Sequence, residues 1–195
     1  MFIAHMPAGF LLARRFLRSE RDKTHYLKYL FIGMIASISP DFDLAYFYLI
    51  DGRQHPHHSY WTHIPIYWIA LYAIFVYPVY RLFNHIGVKL LSLFLICGLL
   101  HMSLDSIASG IKWLYPFNTQ YHGIWRIPAV HDWWVANYLF HWTFLLELLI
   151  TATAAYTFLR DRRLLSDIRY QFFVWMYQLR PSVRLLRGLS KINRD

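Results

Sequence analysis

The sequence predicts an all-α integral membrane protein: a helical bundle of about four spanning helices, with a short N-terminal helix and an amphipathic C-terminal tail. Three observations predict it. Hydrophobic residues make up 57% of the 195 positions and charged residues only 16%, where a soluble domain carries about a quarter charged. Four long apolar runs alternate with polar linkers. At about 1.5 Å per residue, each run is long enough to cross a hydrocarbon layer of about 30 Å. Aromatic residues reach 19%, which suits two membrane–water interfaces where amphipathic rings settle.

Met1–Phe16 is apolar, too short to span unaided, and ends in Arg14, Arg15 and Arg18. It reads as a half-inserted helix with His5 near its start. Its positive charges follow the apolar segment, which is the reverse of a signal peptide. Glu20–Thr24 is a charged loop. Tyr26–Ile50 is the first spanning run and contains Ser39-Pro40-Asp41-Phe42-Asp43. Pro40 lacks a backbone donor and disfavours a helical residue before it, so the helix breaks there beside two carboxylates. In a continuous helix Asp41 and Asp43 point to different faces, whereas an unwound turn lets both reach one site.

Asp51–His63 is a polar linker with His55, His57, His58 and His63. His55 and His57 read as solvated loop residues. Ile64–Phe83 is the second run, Asn84–Lys89 a short turn, and Val88–Ile107 the third run. That third run holds His101 and Asp105 on one helical face, at i and i+4. Ala108–Trp134 is a long aromatic-rich loop, and Val135–Leu159 is the fourth run, with His141 and Glu147. The chain therefore divides into a membrane-embedded part, 1–159, and a basic amphipathic tail, 160–195. Cys97 is the single cysteine. It excludes an internal disulfide and a Cys-rich zinc site and reads as a packing residue.

Charge sets the topology. The formal charge of +9 concentrates in Arg14–Lys28 and in the tail, and basic flanks stay in the cytoplasm. The expected location is a bacterial inner membrane with a cytoplasmic C-terminus. Counted outward from the basic anchors, Asp41, His101, Asp105 and Glu147 fall roughly 18–24 Å along their helices and His5 roughly 14 Å. His58 and His63 flank the outer end of the second span. These groups converge on the outer half of the membrane. Ionisable groups there are costly and mark coordination or a polar path.

Imidazoles and carboxylates without thiolates suit Zn²⁺, with Mn²⁺ or Fe as alternatives. A zinc site with an open position activates water toward an ester or phosphoester. Leftover carboxylates orient histidines or serve as general base. The bland readings stand beside this one. Asp41 and Asp43 also suit capping of a broken helix, and Glu147 suits a hydrogen bond between helices.

The residues His5, Pro40-Asp41-x-Asp43, Thr62 with His58-x4-His63, His101-x3-Asp105, Gly110 and Trp113-x2-Pro116-Phe117 resemble, in order, the membrane-bound metal-dependent hydrolases. That group is distantly similar to zinc-dependent phospholipase C. The resemblance runs over roughly Met1–Phe117. It implies His5, Asp41, His58, His63, His101 and Asp105 as metal ligands. Of the carboxylates left over, Asp43 or Glu147 serves as second shell or base. The resemblance also implies a hydrolase without naming a substrate; a metal-activated water suits a phosphoester or other ester of a lipid or membrane-adjacent substrate. The alternative is a non-catalytic membrane protein, either a metal or proton transporter or an adaptor. Membrane lipid is the expected partner. Nucleic acid is not expected, since no base-reading motif accompanies the basic tail.

Overall fold

The computed structural model describes residues 3–17 and 26–178, and every element there is helical apart from an isolated bridge between Ile111 and His122. The Glu20–Thr24 loop and the tail beyond residue 178 lie outside the described residues. Two compact units divide the chain, one ending at Tyr156 and one beginning at Thr157.

Helix α1 spans His5–Phe16 and α2 spans Tyr26–Ile38. They pack antiparallel, because small residues line their contact. A Cβ on Gly9 would strike Ser37 and the Gly33 carbonyl, and one on Gly33 would strike Ala13. Gly9/Ala13 and Gly33/Ser37 thus form facing small-xxx-small pairs, the device by which helices approach closely in lipid. Phe16 and Tyr29 close the far end. Cys97 is buried, with its sulfur beside the position a Gly33 Cβ would take, so it is a packing residue.

The first apolar run breaks where Pro40 predicts. A 3-10 turn, Ser39–Asp43, separates α2 from the short α3, Leu44–Leu49. The linker that follows carries two more 3-10 turns, His57–Ser59 and Trp61–His63.

Helix α4, Pro65–Ala108, is 44 residues long, about twice the length a bilayer requires at 1.5 Å per residue. It is a hairpin, not a rod. Asn84 has φ 55° and ψ −151°, outside helical space. The arms on either side pair at mirrored positions. The Tyr72 hydroxyl meets Ser92 Oγ at 3.0 Å, Trp68 stacks on Phe94, and Gly98 leaves room for the Trp68 ring. The turn expected over Asn84–Lys89 thus shrinks to one residue, Asn84, whose positive φ lies where side chains are rare. Tyr26–Leu49, Pro65–Ala108 and Thr143–Arg160 are each long and apolar enough to cross a membrane, and the α4 hairpin supplies two such crossings.

The fourth run is not continuous. Helix α5, Trp134–Leu139, ends at Phe140, and α6 begins at Thr143. His141 sits in the break and its Nδ1 lies 2.9 Å from Thr143 Oγ1. In the second unit, α7 spans Arg162–Gln178, with Phe172, Phe173, Trp175 and Met176 exposed.

Candidate metal centre

Four segments bring imidazoles and carboxylates together: the start of α1, the 3-10 turn after α2, the linker turns and the second arm of α4. His5, His63, His101 and Asp105 are buried, with side chains at most 2% exposed. Asp41, His57 and His58 form a rim at 18–27%.

Two carboxylates flank a central pair of rings. The Nε2 atoms of His63 and His101 stand 3.3 Å apart. On one side, Asp105 places Oδ2 3.0 Å from His101 Nε2, 3.5 Å from His58 Nε2 and 3.8 Å from His63 Nε2. Its Oδ1 lies 3.2 Å from His5 Nε2. On the other side, Asp41 Oδ1 lies 3.5 Å from His101 Nε2, 3.6 Å from His63 Nε2 and 3.1 Å from His57 Nε2. The His5 and His101 rings stack with centroids 3.7 Å apart.

The outward nitrogens fix the inward ones. His101 Nδ1 donates to the Ser37 carbonyl at 2.8 Å, and a carbonyl only accepts. His63 Nδ1 donates to Asp43 Oδ2 at 2.9 Å, and the Thr62 hydroxyl donates to the same oxygen. The Ser109 hydroxyl donates to the Asp105 carbonyl, so its oxygen accepts from His58 Nδ1 at 2.8 Å. With Nδ1 carrying the proton, each Nε2 presents a lone pair inward. This is the arrangement that outer partners impose on metal-binding histidines. Lone pairs and carboxylates facing one another at this depth require cations between them, either protons or a metal ion.

Three groups of side chains offer ligand atoms within 4.8 Å of one another: His5/His101/Asp105, Asp41/His63/His101 and His57/His58/His63. The donors are nitrogen and oxygen only, so the set fits a zinc-like or manganese-like divalent ion. All six residues expected as ligands from the sequence are in the cluster.

His57 is also there, against the expectation of a solvated loop residue. Its Nε2 faces Asp41, and its Nδ1 stands 3.1 Å from Asp43 Oδ1. Burial pushes the His57 imidazole down, but the hydrogen bonds to Asp41 and Asp43 outweigh it and raise it to about 9. It is therefore a cation at neutral pH. His58 goes the other way, with burial lowering it to about 3. His55 is exposed and pairs with Asp51 at 2.7 Å. Its spacing in the linker resembles that of His57, and only the 3-10 turn separates their fates.

Asp43 lies behind the cluster, holding His63 and His57. Glu147 is fully buried on α6. Its Oε2 accepts the backbone N–H groups of Ile3 at 2.6 Å and Ala4 at 3.1 Å. Both donors lie just ahead of α1, with Ala4 at its N-cap, where backbone N–H groups have no intrahelical partner. A carboxylate there also meets the positive end of the α1 dipole. Glu147 thus anchors the helix end that carries His5.

Fold and cluster together define a membrane-spanning helical protein with a buried, metal-competent histidine–aspartate centre. Residues 1–176 match the family of YdjM inner membrane proteins, and the chain belongs to that family. It is therefore an inner membrane protein. No curated protein and no solved structure matches it.

Proposed function

We propose that the protein is a membrane-embedded, metal-dependent hydrolase acting on a phosphoester or another ester, in a lipid or a molecule at the membrane surface. The observation that carries this reading is the inward convergence of the Nε2 atoms of His5, His58, His63 and His101 on Asp41 and Asp105. These six residues would hold the metal. The ion would supply Lewis-acid polarisation of the ester and acidification of a water.

The chain's own residues do the rest. Asp43, Ser37 and Ser109 hold the rings in the tautomer that faces Nε2 inward. Glu147 fixes the α1 end beside His5. Asp43 and His57, beside the ligands, handle protons. Water oxygen bonds to phosphorus as the ester oxygen departs. Asp43 takes the proton from the water, and protonated His57 gives one to the leaving oxygen. The contact of 3.1 Å between Asp43 Oδ1 and His57 Nδ1 then returns the proton and resets the pair.

The sequence's charge pattern supports a cluster opening toward the outside and a cytoplasmic tail. The test uses the purified full-length protein loaded with Zn²⁺ or Mn²⁺ and a chromogenic aryl phosphodiester, followed by phospholipid and carboxylic-ester panels. Turnover that chelator removes, that metal restores and that His101→Ala lacks is expected. No turnover of any ester by the metal-loaded protein would overturn the reading.

A further inference from the structure

Two cavities share a wall at Ser39, Trp61 and Thr62. The first, about 300 Å³, lies between the arms of the α4 hairpin and is lined by Trp68, Leu71, Phe75, Leu91, Phe94 and Leu95. The second, about 720 Å³, carries Asp43, Asp51, His55, Ser59 and Tyr60. Both volumes fall in the range of ligand sites.

The first cavity presents hydrocarbon. Its polar atoms are already engaged with each other: Trp68 Nε1 donates to the Thr62 carbonyl at 2.8 Å, and the Tyr72 and Ser92 hydroxyls meet at 3.0 Å. A polar ligand entering there would lose its own hydrogen bonds and gain none. The second cavity mixes polar and aromatic groups, with the exposed imidazole of His55, the carboxylates of Asp43 and Asp51 and the rings of Phe42, Tyr46 and Tyr60. At their junction stands Trp61, 59% exposed, an amphipathic ring of the kind that settles at headgroup level. An apolar slot set beside a chamber that carries charged groups complements one class of ligand in a membrane, an amphiphile with a hydrocarbon tail and a polar head.

We propose that the slot between the α4 arms holds one hydrocarbon chain of a zwitterionic membrane phospholipid, whose ammonium-bearing head lies in the chamber beside Asp43, where carboxylates and aromatic rings favour a cation. The Thr62 hydroxyl and His63 both bond to Asp43, so the lipid head sits one side chain from the histidine cluster. The proposal goes beyond the hydrolytic reading, because lipid binding of this kind requires no metal.

The test uses the full chain in phosphatidylcholine vesicles doped with a phosphatidylethanolamine that carries a diazirine on one acyl chain. Labelled positions are mapped by mass spectrometry. Labelling at Leu71, Leu91 and Leu95 is expected to exceed that at Ile74 and Leu82 severalfold, since these last two are exposed on the same hairpin outside the slot. Leu95→Trp fills the slot and abolishes the excess. Leu71→Trp, at a more exposed position, does the same should Leu95→Trp not fold, as judged by helical circular dichroism. Leu82→Trp leaves the excess intact. The excess persists after chelation, which separates this proposal from the metal site. Even labelling of all apolar positions, or an excess that survives both filling variants, would overturn it.

Discussion

The Nε2 atoms of His63 and His101 face each other at 3.3 Å, with the opposite nitrogen of each ring already donating to a fixed acceptor. Two lone pairs so held repel. Asp41 and Asp105, each within 3.8 Å of both nitrogens, add negative charge to the same space. The arrangement is stable with a cation inside and costly without one, and the predictions below follow from it.

Asp43→Asn removes charge from the acceptor that orients His63 and His57 while keeping its shape. Changes to such outer partners typically weaken metal binding about 10–100-fold. Competition with a fluorescent chelator should show a loss in that range, with the protein still folded. An unchanged affinity would mean that Asp43 orients nothing.

Glu147→Ala leaves the N–H groups of Ile3 and Ala4, just ahead of α1, without their acceptor and slackens the chain before His5. Weaker metal binding is expected from the same competition assay, and Glu147→Gln, which keeps an acceptor oxygen, restores much of it. Equal behaviour of the two variants would show that the hydrogen bonds from Ile3 and Ala4 do not position His5.

Gly33→Val places methyl groups where Ala13 and the Gly9 carbonyl already stand. Overpacking of this kind costs about 1–3 kcal/mol. The α1–α2 contact also carries His5 and the Ser37 carbonyl. The variant should therefore lower both thermal stability and metal content, whereas Gly52→Asn, in open space on the linker at a φ of 59° that asparagine tolerates, should leave metal content unchanged.

Chelated protein should be most stable near pH 6.5. An unfolded histidine titrates near 6.5. Folded His57, raised to about 9, contributes stability that is fully present below pH 6.5 and lost as pH rises through 9. Folded His58, lowered to about 3, stays neutral while the unfolded chain gains a proton, so its effect is to lose stability as pH falls from 6.5 toward 3. Thermal melts across pH 4–10 check this. His57→Gln should make the alkaline limb shallower and leave the acid limb.

Much of this architecture is legible in the sequence, because it rests on local chemistry. Pro40 cannot donate, so the first span breaks there and both aspartates turn to one site. His101 and Asp105 share a face because they are four apart. The parts that were not legible depend on distant pairing. His57 and His55 look alike in the linker, and only the 3-10 turn aims one at Asp41. Glu147 meets backbone donors 143 and 144 residues away, which no spacing announces. The break before Thr143 has no proline or glycine to mark it.

The most direct test is elemental analysis of purified wild-type protein beside His101→Ala, Asp105→Ala and His55→Ala. A bound divalent metal in wild type and in His55→Ala, with little in the other two, is the predicted result. Equal metal in all four, or none in the wild type after growth with zinc, manganese and iron supplied, would contradict the account.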